Sequence, residues 1–265
     1  MSGVGISDTG VLSPMTQTTT QTGSRIAPAK ARVGIILSSS NRVVEAQLRA
    51  FAPPELGIHV TRMRMSKNRT QSMPEQIDTI IRAAELVADA KVDVIVLQAS
   101  SFAMEKGPEA ETKVVEAITK ATGVAALTST QAMVQALKEL ALKRLILVSP
   151  SAKAMSDAES AYLRTLGFQV INAIGLDVGS GAGLAMAPSA WLDVVKSVDR
   201  PEADGYFLSG SNTTIVEAIG LIERAGGKPA VTSTQATLWA SAKRLMPKLG
   251  KVAFSPELGR LFAHL

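Results

Sequence analysis

The stretch TSTQA occurs twice in this chain, at Thr128–Ala132 and at Thr232–Ala236. Each copy follows a short apolar run, GVAAL before the first and GKPAV before the second, and each opens an amphipathic segment. A strand that runs through small and hydroxyl residues into a helix is a building unit of parallel α/β sheets. Its recurrence requires that the surrounding sequence be repeated, and a direct overlay bears on this. A shift of 111 residues lays ILSSSNR (36–42) on LVSPSAK (147–153), and VLQASS (96–101) on FLSGSN (207–212). The TSTQA pair needs a shift of 104, a difference that a shortened helix or loop absorbs. The chain reads as an internal duplication.

The rest of the pattern agrees. RVGIIL (32–37), VDVIVL (92–97), RLILVS (144–149), DGYFLS (204–209) and KPAVTS (228–233) each precede a longer helical pattern. Gly167 and the glycines of ERAGG suit helix ends. Strands apolar on both faces and separated by helices imply a mainly parallel sheet with right-handed crossovers. The expected class is α/β, in two similar units.

In open α/β sheets ligands bind beyond the carboxyl ends of the strands. Here those ends read SSSN, QASS, TSTQ, SPSA, SGSN and TSTQ. Two such rims facing each other would offer hydroxyls, amides and helix N-terminal N–H groups to carboxylate or phosphate oxygens. Ser and Thr also cap helices, and both roles stay open. Arg42 and Lys153 occupy matching positions under the 111 shift, each at or near a helix start. A cation there opposes the helix dipole, at about 0.3–1 kcal/mol when exposed. Either the two point toward an anionic ligand or they bend away to surface carboxylates.

Composition removes several alternatives. Cysteine is absent, which excludes disulfides, thiolate metal sites and thiol nucleophiles. The two histidines, His59 and His264, lie far apart and argue against a zinc site; no metal is expected. Net charge is +5, yet the one dense basic run, TRMRMSKNR, lacks interleaved aromatics and reads as a solvated loop, so no nucleic-acid partner is expected. No apolar run reaches the roughly 18 residues of a membrane span, and no membrane partner is expected. The first 30 residues contain no apolar core of a secretory signal, and a cytoplasmic location is the default. No glycine-rich phosphate loop with a lysine is present, and no cofactor is implied; GSGAG (179–183) reads as a flexible loop near the cleft, a candidate lid.

The same residues resemble the aspartate/glutamate racemase superfamily, in its branch of maleate cis–trans isomerases and arylmalonate decarboxylases. The likeness runs from about residue 32 to 265, through SSSNRVVEAQLRAFAPPELGIHVTRMRM, VDVIVLQASSF, TSTQAMVQALKEL, ADGYFLSGSNTT, VTSTQATLWASAKRL and GRLF. It implies two flavodoxin-like lobes with parallel sheets related by a pseudo-twofold, an active site between them and a last helix returning to the first lobe. The boundaries that follow are a disordered N-terminal arm over 1–31, a first lobe over 32–127 plus 233–265, and a second over 128–232. The resemblance also implies a carboxylate pocket of Asn41, Ser100, Ser101, Ser211 and Asn212, with Thr128, Ser129, Thr232 and Ser233 as wall candidates. On the resemblance alone, a homodimer is plausible.

The departures fall on the chemistry. The two places where members of the branch carry catalytic cysteines are Ala99 and Gly210, and a tyrosine usual in the branch is replaced by Ser151. Neither Ala99 nor Gly210 can move a proton. The candidates left are Lys153, if buried beside Arg42, His59, read chiefly as structural, and Glu45, one helical turn beyond Asn41. Ser100 or Ser211 could act as a nucleophile only with a base beside it. The leading expectation is a cofactor-independent enzyme on a small di- or tricarboxylate: a lyase, decarboxylase or isomerase working through an enolate-like intermediate. The alternatives are a catalytically silent binder of a small anionic organic acid, and a serine-dependent hydrolase.

Overall fold

Thr128 and Thr232 begin their helices in the same way, and this local geometry decides where the strands stop. The Thr128 hydroxyl accepts the N–H of Gln131 at 3.0 Å, while the Gln131 side-chain oxygen accepts the N–H of Thr128 at 3.2 Å. Thr232 and Gln235 form the same reciprocal pair, at 3.2 and 3.0 Å. TSTQ is therefore a capping box used twice.

The computed structural model describes residues 28–64, 72–178 and 182–265. The first sheet contains β1 (Ala31–Ser38), β2 (Leu56–Met63), β3 (Val94–Gln98) and β4 (Ala126–Thr128), in the order β2-β1-β3-β4. The second contains β5 (Arg144–Ser149), β6 (Gln169–Gly175), β7 (Gly205–Leu208) and β8 (Ala230–Thr232), in the order β6-β5-β7-β8. Every neighbouring pair is parallel. The same order appears twice, as the overlay of the two halves required.

Ten α-helices are present among the described residues: α1 (Val44–Phe51), α2 (Met73–Ala88), α3 (Ser100–Lys106), α4 (Pro108–Thr122), α5 (Ser129–Glu139), α6 (Lys153–Thr165), α7 (Ala182–Ala185), α8 (Pro188–Val198), α9 (Ile219–Gly226) and α10 (Ser233–Leu249). Helices cover both faces of the central strands, so Ile35, Ile36, Ile95 and Val96 are all buried. One apolar core runs through both sheets and a smaller one lies under α2 and α4 of the first. The two repeat helices, α5 and α10, pack on each other between the lobes. Lys243 on α10 pairs with Glu139 on α5 at 2.7 Å. Helix α10 also touches β1 and β3, where the Thr237 hydroxyl donates to Gln98 Oε1 at 2.6 Å.

Gly167, with φ of 87°, comes just after Leu166, the C-terminal cap of α6, and stops the helix as expected. The sequence reading names no element at α2, β6, α7 or α8, nor the short α3, which Gly107 separates from α4. The arm at 1–27, the end of the basic run at 65–71 and residues 179–181 of GSGAG lie outside the described residues; Ala182 and Gly183 begin α7. Among the described residues, no helix is long and apolar enough to cross a membrane.

Candidate functional site

The loops that leave β1 and β7 meet across the lobes. Asn41 Oδ1 accepts the N–H groups of Val43 and Val44, at 3.1 and 3.0 Å, and so holds the start of α1. The Asn41 amide donates to the Ser211 carbonyl at 3.4 Å. The Arg42 N–H donates to Asn212 Oδ1 at 2.9 Å, and Gln47 Nε2 donates to the Thr213 carbonyl at 2.9 Å. The structure thus brings Asn41, Arg42, Ser211 and Asn212 together, although about 170 residues separate the two loops in the chain.

Arg62 braces this junction from β2. It donates to the Asn41 carbonyl at 2.7 Å and to the Glu45 carboxylate at 3.0 Å. Arg62 is therefore not part of a loosely solvated loop; its guanidinium fixes the carbonyl of Asn41, whose side chain holds the first N–H groups of α1. The bond from Arg62, opposed by burial and aided by Arg49, holds the Glu45 carboxyl below its ordinary value. A carboxylate held ionised by two arginines is a brace and a poor proton shuttle.

The other anticipated residues are spread more widely. Ser100 and Ser101 open α3, and the Thr130 hydroxyl donates to the Ser100 carbonyl at 3.4 Å, tying α3 to the start of α5. Ser129 and Ser233 are the first residues of α5 and α10 and are fully buried, so they lie beneath the rim. Lys153 is not buried beside Arg42. Its side chain is 83% exposed and pairs with Asp157 at 2.7 Å, one turn along α6, because the first residue of a helix whose inner face is packed points outward. His59 is half-buried on β2, and burial first, then Arg32 and Arg49, lowers its pKa toward the neutral imidazole.

At the two places where the resemblance puts cysteines, the environments differ. Ala99 is half-buried against the smaller core. Gly210 has φ of 92°, and a β-carbon built there would lie 2.5 Å from Pro150 Cγ. This backbone accepts glycine at 210 and no other residue without a shift.

Two buried acids stand at strand ends. Glu111 on α4 takes the Thr128 hydroxyl on one oxygen and the Tyr162 hydroxyl, at 3.0 Å, on the other. Glu159 on α6 takes the Ser209 hydroxyl on Oε1 at 2.7 Å, while its Oε2 has no hydrogen-bond partner among the described residues. Burial raises both carboxyls above the ordinary value, against the pull of these hydroxyls. The signal for Glu159 was present in the chain: it shares a helical face with Ser156, Tyr162 and Leu163, where an apolar residue is the norm.

The sequence profile of the family described as arylmalonate decarboxylase matches residues 33–262. The chain belongs to the arylmalonate decarboxylase family. Among its relatives, maleate isomerase of Pseudomonas putida is 28% identical over 228 residues, covering 81% of this chain and 91% of the relative. Arylmalonate decarboxylase of Bordetella bronchiseptica is 24% identical over 251 residues, covering 94% and 99%. A cysteine-to-alanine variant of maleate isomerase from Pseudomonas putida S16, solved with maleate, superposes with a TM-score of 0.78 at 24% identity, covering 88% of this chain and 98% of that one. A cysteine-to-serine mutant of the Nocardia farcinica maleate cis-trans isomerase, described with a covalently bound succinylcysteine intermediate, superposes at 0.72 and 24% identity, covering 81% and 92%. The family's α/β fold of two parallel sheets is thus shared, while this member of the family has no cysteine at all.

Proposed function

We propose that this family member acts on a small di- or tricarboxylate, as a decarboxylase or isomerase that forms an enolate-like intermediate without thiol chemistry. The observation that carries the reading is the junction of the Asn41–Arg42 loop with the Ser211–Asn212 loop. On this reading hydroxyl, amide and backbone N–H groups of the two loops hold one substrate carboxylate. Decarboxylation of a malonate-type acid sends the electron pair of the breaking C–C bond into an enolate. Fixed donors aimed at those oxygens lower the barrier where negative charge develops.

A covalent cysteine adduct cannot form, because there is no sulfur nucleophile. Lys153, exposed and ion-paired, is left out of the acid–base role. The bonds that place Ser100 and Ser211 run through their carbonyl oxygens and not to a base, which disfavours a serine hydrolase. The reading invokes no cofactor or metal. A second reading, a silent binder of a small organic acid, is favoured by the closure of Gly210 against Pro150.

Proton NMR in deuterated water separates the two. The protein is incubated with maleate, malonate, phenylmalonate and citrate in turn. Deuterium incorporation, loss of carbon dioxide or cis–trans conversion of one acid is expected. Binding seen as a raised melting temperature, with no chemical change in any acid, would establish the silent binder instead.

A further inference from the structure

Beside the junction of the two loops, α1 forms one wall of a cavity of about 450 Å³. Gln47 and Phe51 line it from α1, facing Glu217, Ser255 and Glu257. Glu217 belongs to a short 3₁₀ helix, Ile215–Ala218, which begins soon after the Ser211–Asn212 loop. Glu257 belongs to another, Pro256–Leu258, where the Ser255 hydroxyl accepts the Glu257 N–H at 3.3 Å. The first lobe, the second lobe and the end of the chain thus each contribute to one hollow. Its volume falls in the range of small-molecule sites, roughly 300–1,000 Å³.

The walls specify a charge. Glu217 and Glu257 are exposed, and neither takes part in a salt bridge among the described residues. Among the described residues no lysine or arginine lines the cavity, and Arg49 of the same helix is paired with Glu45 instead. Gln47 adds an independent sign. It is 6% exposed, and its Nε2 is committed to the Thr213 carbonyl at 2.9 Å, which fixes the amide so that the oxygen is left over. That Oε1 has no donor among the described residues. A buried acceptor is ordinarily satisfied, and here the missing partner is an N–H. Phe51 supplies apolar surface next to these acceptors.

We infer that this cavity binds a small organic ammonium ion with a short apolar body. The positive head is held by Glu217 and Glu257 and gives an N–H to Gln47 Oε1, while the carbon chain packs on Phe51. An organic acid is repelled by the same two carboxylates, so the site is separate from the acid-binding rim and does not depend on the function proposed above. Occupancy also reaches that rim, because the Gln47 amide that meets the ligand holds Thr213, the residue after Asn212.

The probes are n-butylammonium and its uncharged counterpart butan-1-ol, titrated into the full chain by calorimetry and by proton–nitrogen NMR. Butylammonium should bind the wild type with a Kd of about 1 mM or lower, and butan-1-ol at least about tenfold more weakly. The double variant Glu217→Gln/Glu257→Gln alters two exposed side chains and should fold. It should lose about tenfold or more in butylammonium affinity. In the wild type the side-chain amide of Gln47 and the backbone amides of Asn212 and Thr213 should shift as the ammonium ion saturates the protein. No binding of butylammonium, equal affinity for the alcohol, undiminished binding by the double variant, or shifts that leave Gln47 and Thr213 untouched would each overturn the inference.

Discussion

Gly210 and Pro150 are packed so closely that a β-carbon at 210 would stand 2.5 Å from the proline Cγ. The first residue belongs to the loop after β7 and the second to the loop after β5, the two neighbouring strands at the centre of the second sheet. Gly210 also holds φ of 92°, where an L side chain is strained by about 1–2 kcal/mol before any clash. Gly210→Cys should therefore destabilise the protein by about 2 kcal/mol or more. Ala99→Cys, at a half-buried position with an ordinary backbone, should change stability by less than about 1 kcal/mol. Denaturant melts of the two variants check this, and a Gly210→Cys protein as stable as wild type would show that the loop does not take this conformation.

The two capping boxes are chemically alike but not equally connected. Thr232→Ala removes a cap and should cost about 1 kcal/mol. Thr128→Ala removes a cap and also leaves an oxygen of buried Glu111 without its donor, so it should cost about 1–3 kcal/mol more. Urea unfolding of both variants reads the difference; equal losses would show that the Thr128–Glu111 bond contributes nothing.

Three buried carboxyls, Glu111, Glu159 and Glu223, are raised above their ordinary value of 4.5, each chiefly by burial. The folded chain then holds more protons than the unfolded chain over the interval above 4.5. Stability from these groups is full below that pH and declines as pH rises through the raised values. Asp204, held at about 2 by Arg144, acts in the opposite sense and loses its contribution only in strong acid. Glu159→Gln should flatten the fall in melting temperature as pH rises above 4.5. An identical slope in the variant would mean that Glu159 titrates normally.

Lys153 offers a control. Its exposed side chain pairs with exposed Asp157 one turn on, an arrangement worth about 0.3–0.5 kcal/mol. Lys153→Met should leave the melting temperature unchanged and ligand binding and turnover within about twofold of wild type. A large loss of kcat in that variant would put the lysine back into the chemistry.

Much of the frame was legible in the chain because it is local. TSTQ followed by an apolar run encodes a capping box, and RLILVS marks β5 residue for residue. The strand-end rims could be placed because a parallel sheet puts all its carboxyl ends on one side. What escaped was set by partners distant in sequence. β6 is an edge strand with alternate residues exposed, so its pattern is weak. Arg62 sits in a basic run, and only the fold shows that it serves Asn41, 21 residues earlier. The outward turn of Lys153 depends on which face of α6 is packed, and Glu159 meets Ser209 across 50 residues. A periodicity argument could have flagged Glu159 as a carboxyl on an inward stripe, though not its partner.

The most direct measurement is a calorimetric titration of malonate, phenylmalonate, maleate and citrate into wild type and Asn212→Ala. If the two lobes hold an organic acid at their shared rim, at least one of these binds the wild type, and Asn212→Ala weakens it by about tenfold or more, equivalent to about 1.4 kcal/mol. Absence of binding by all four, or equal affinity in the two proteins, would contradict the account.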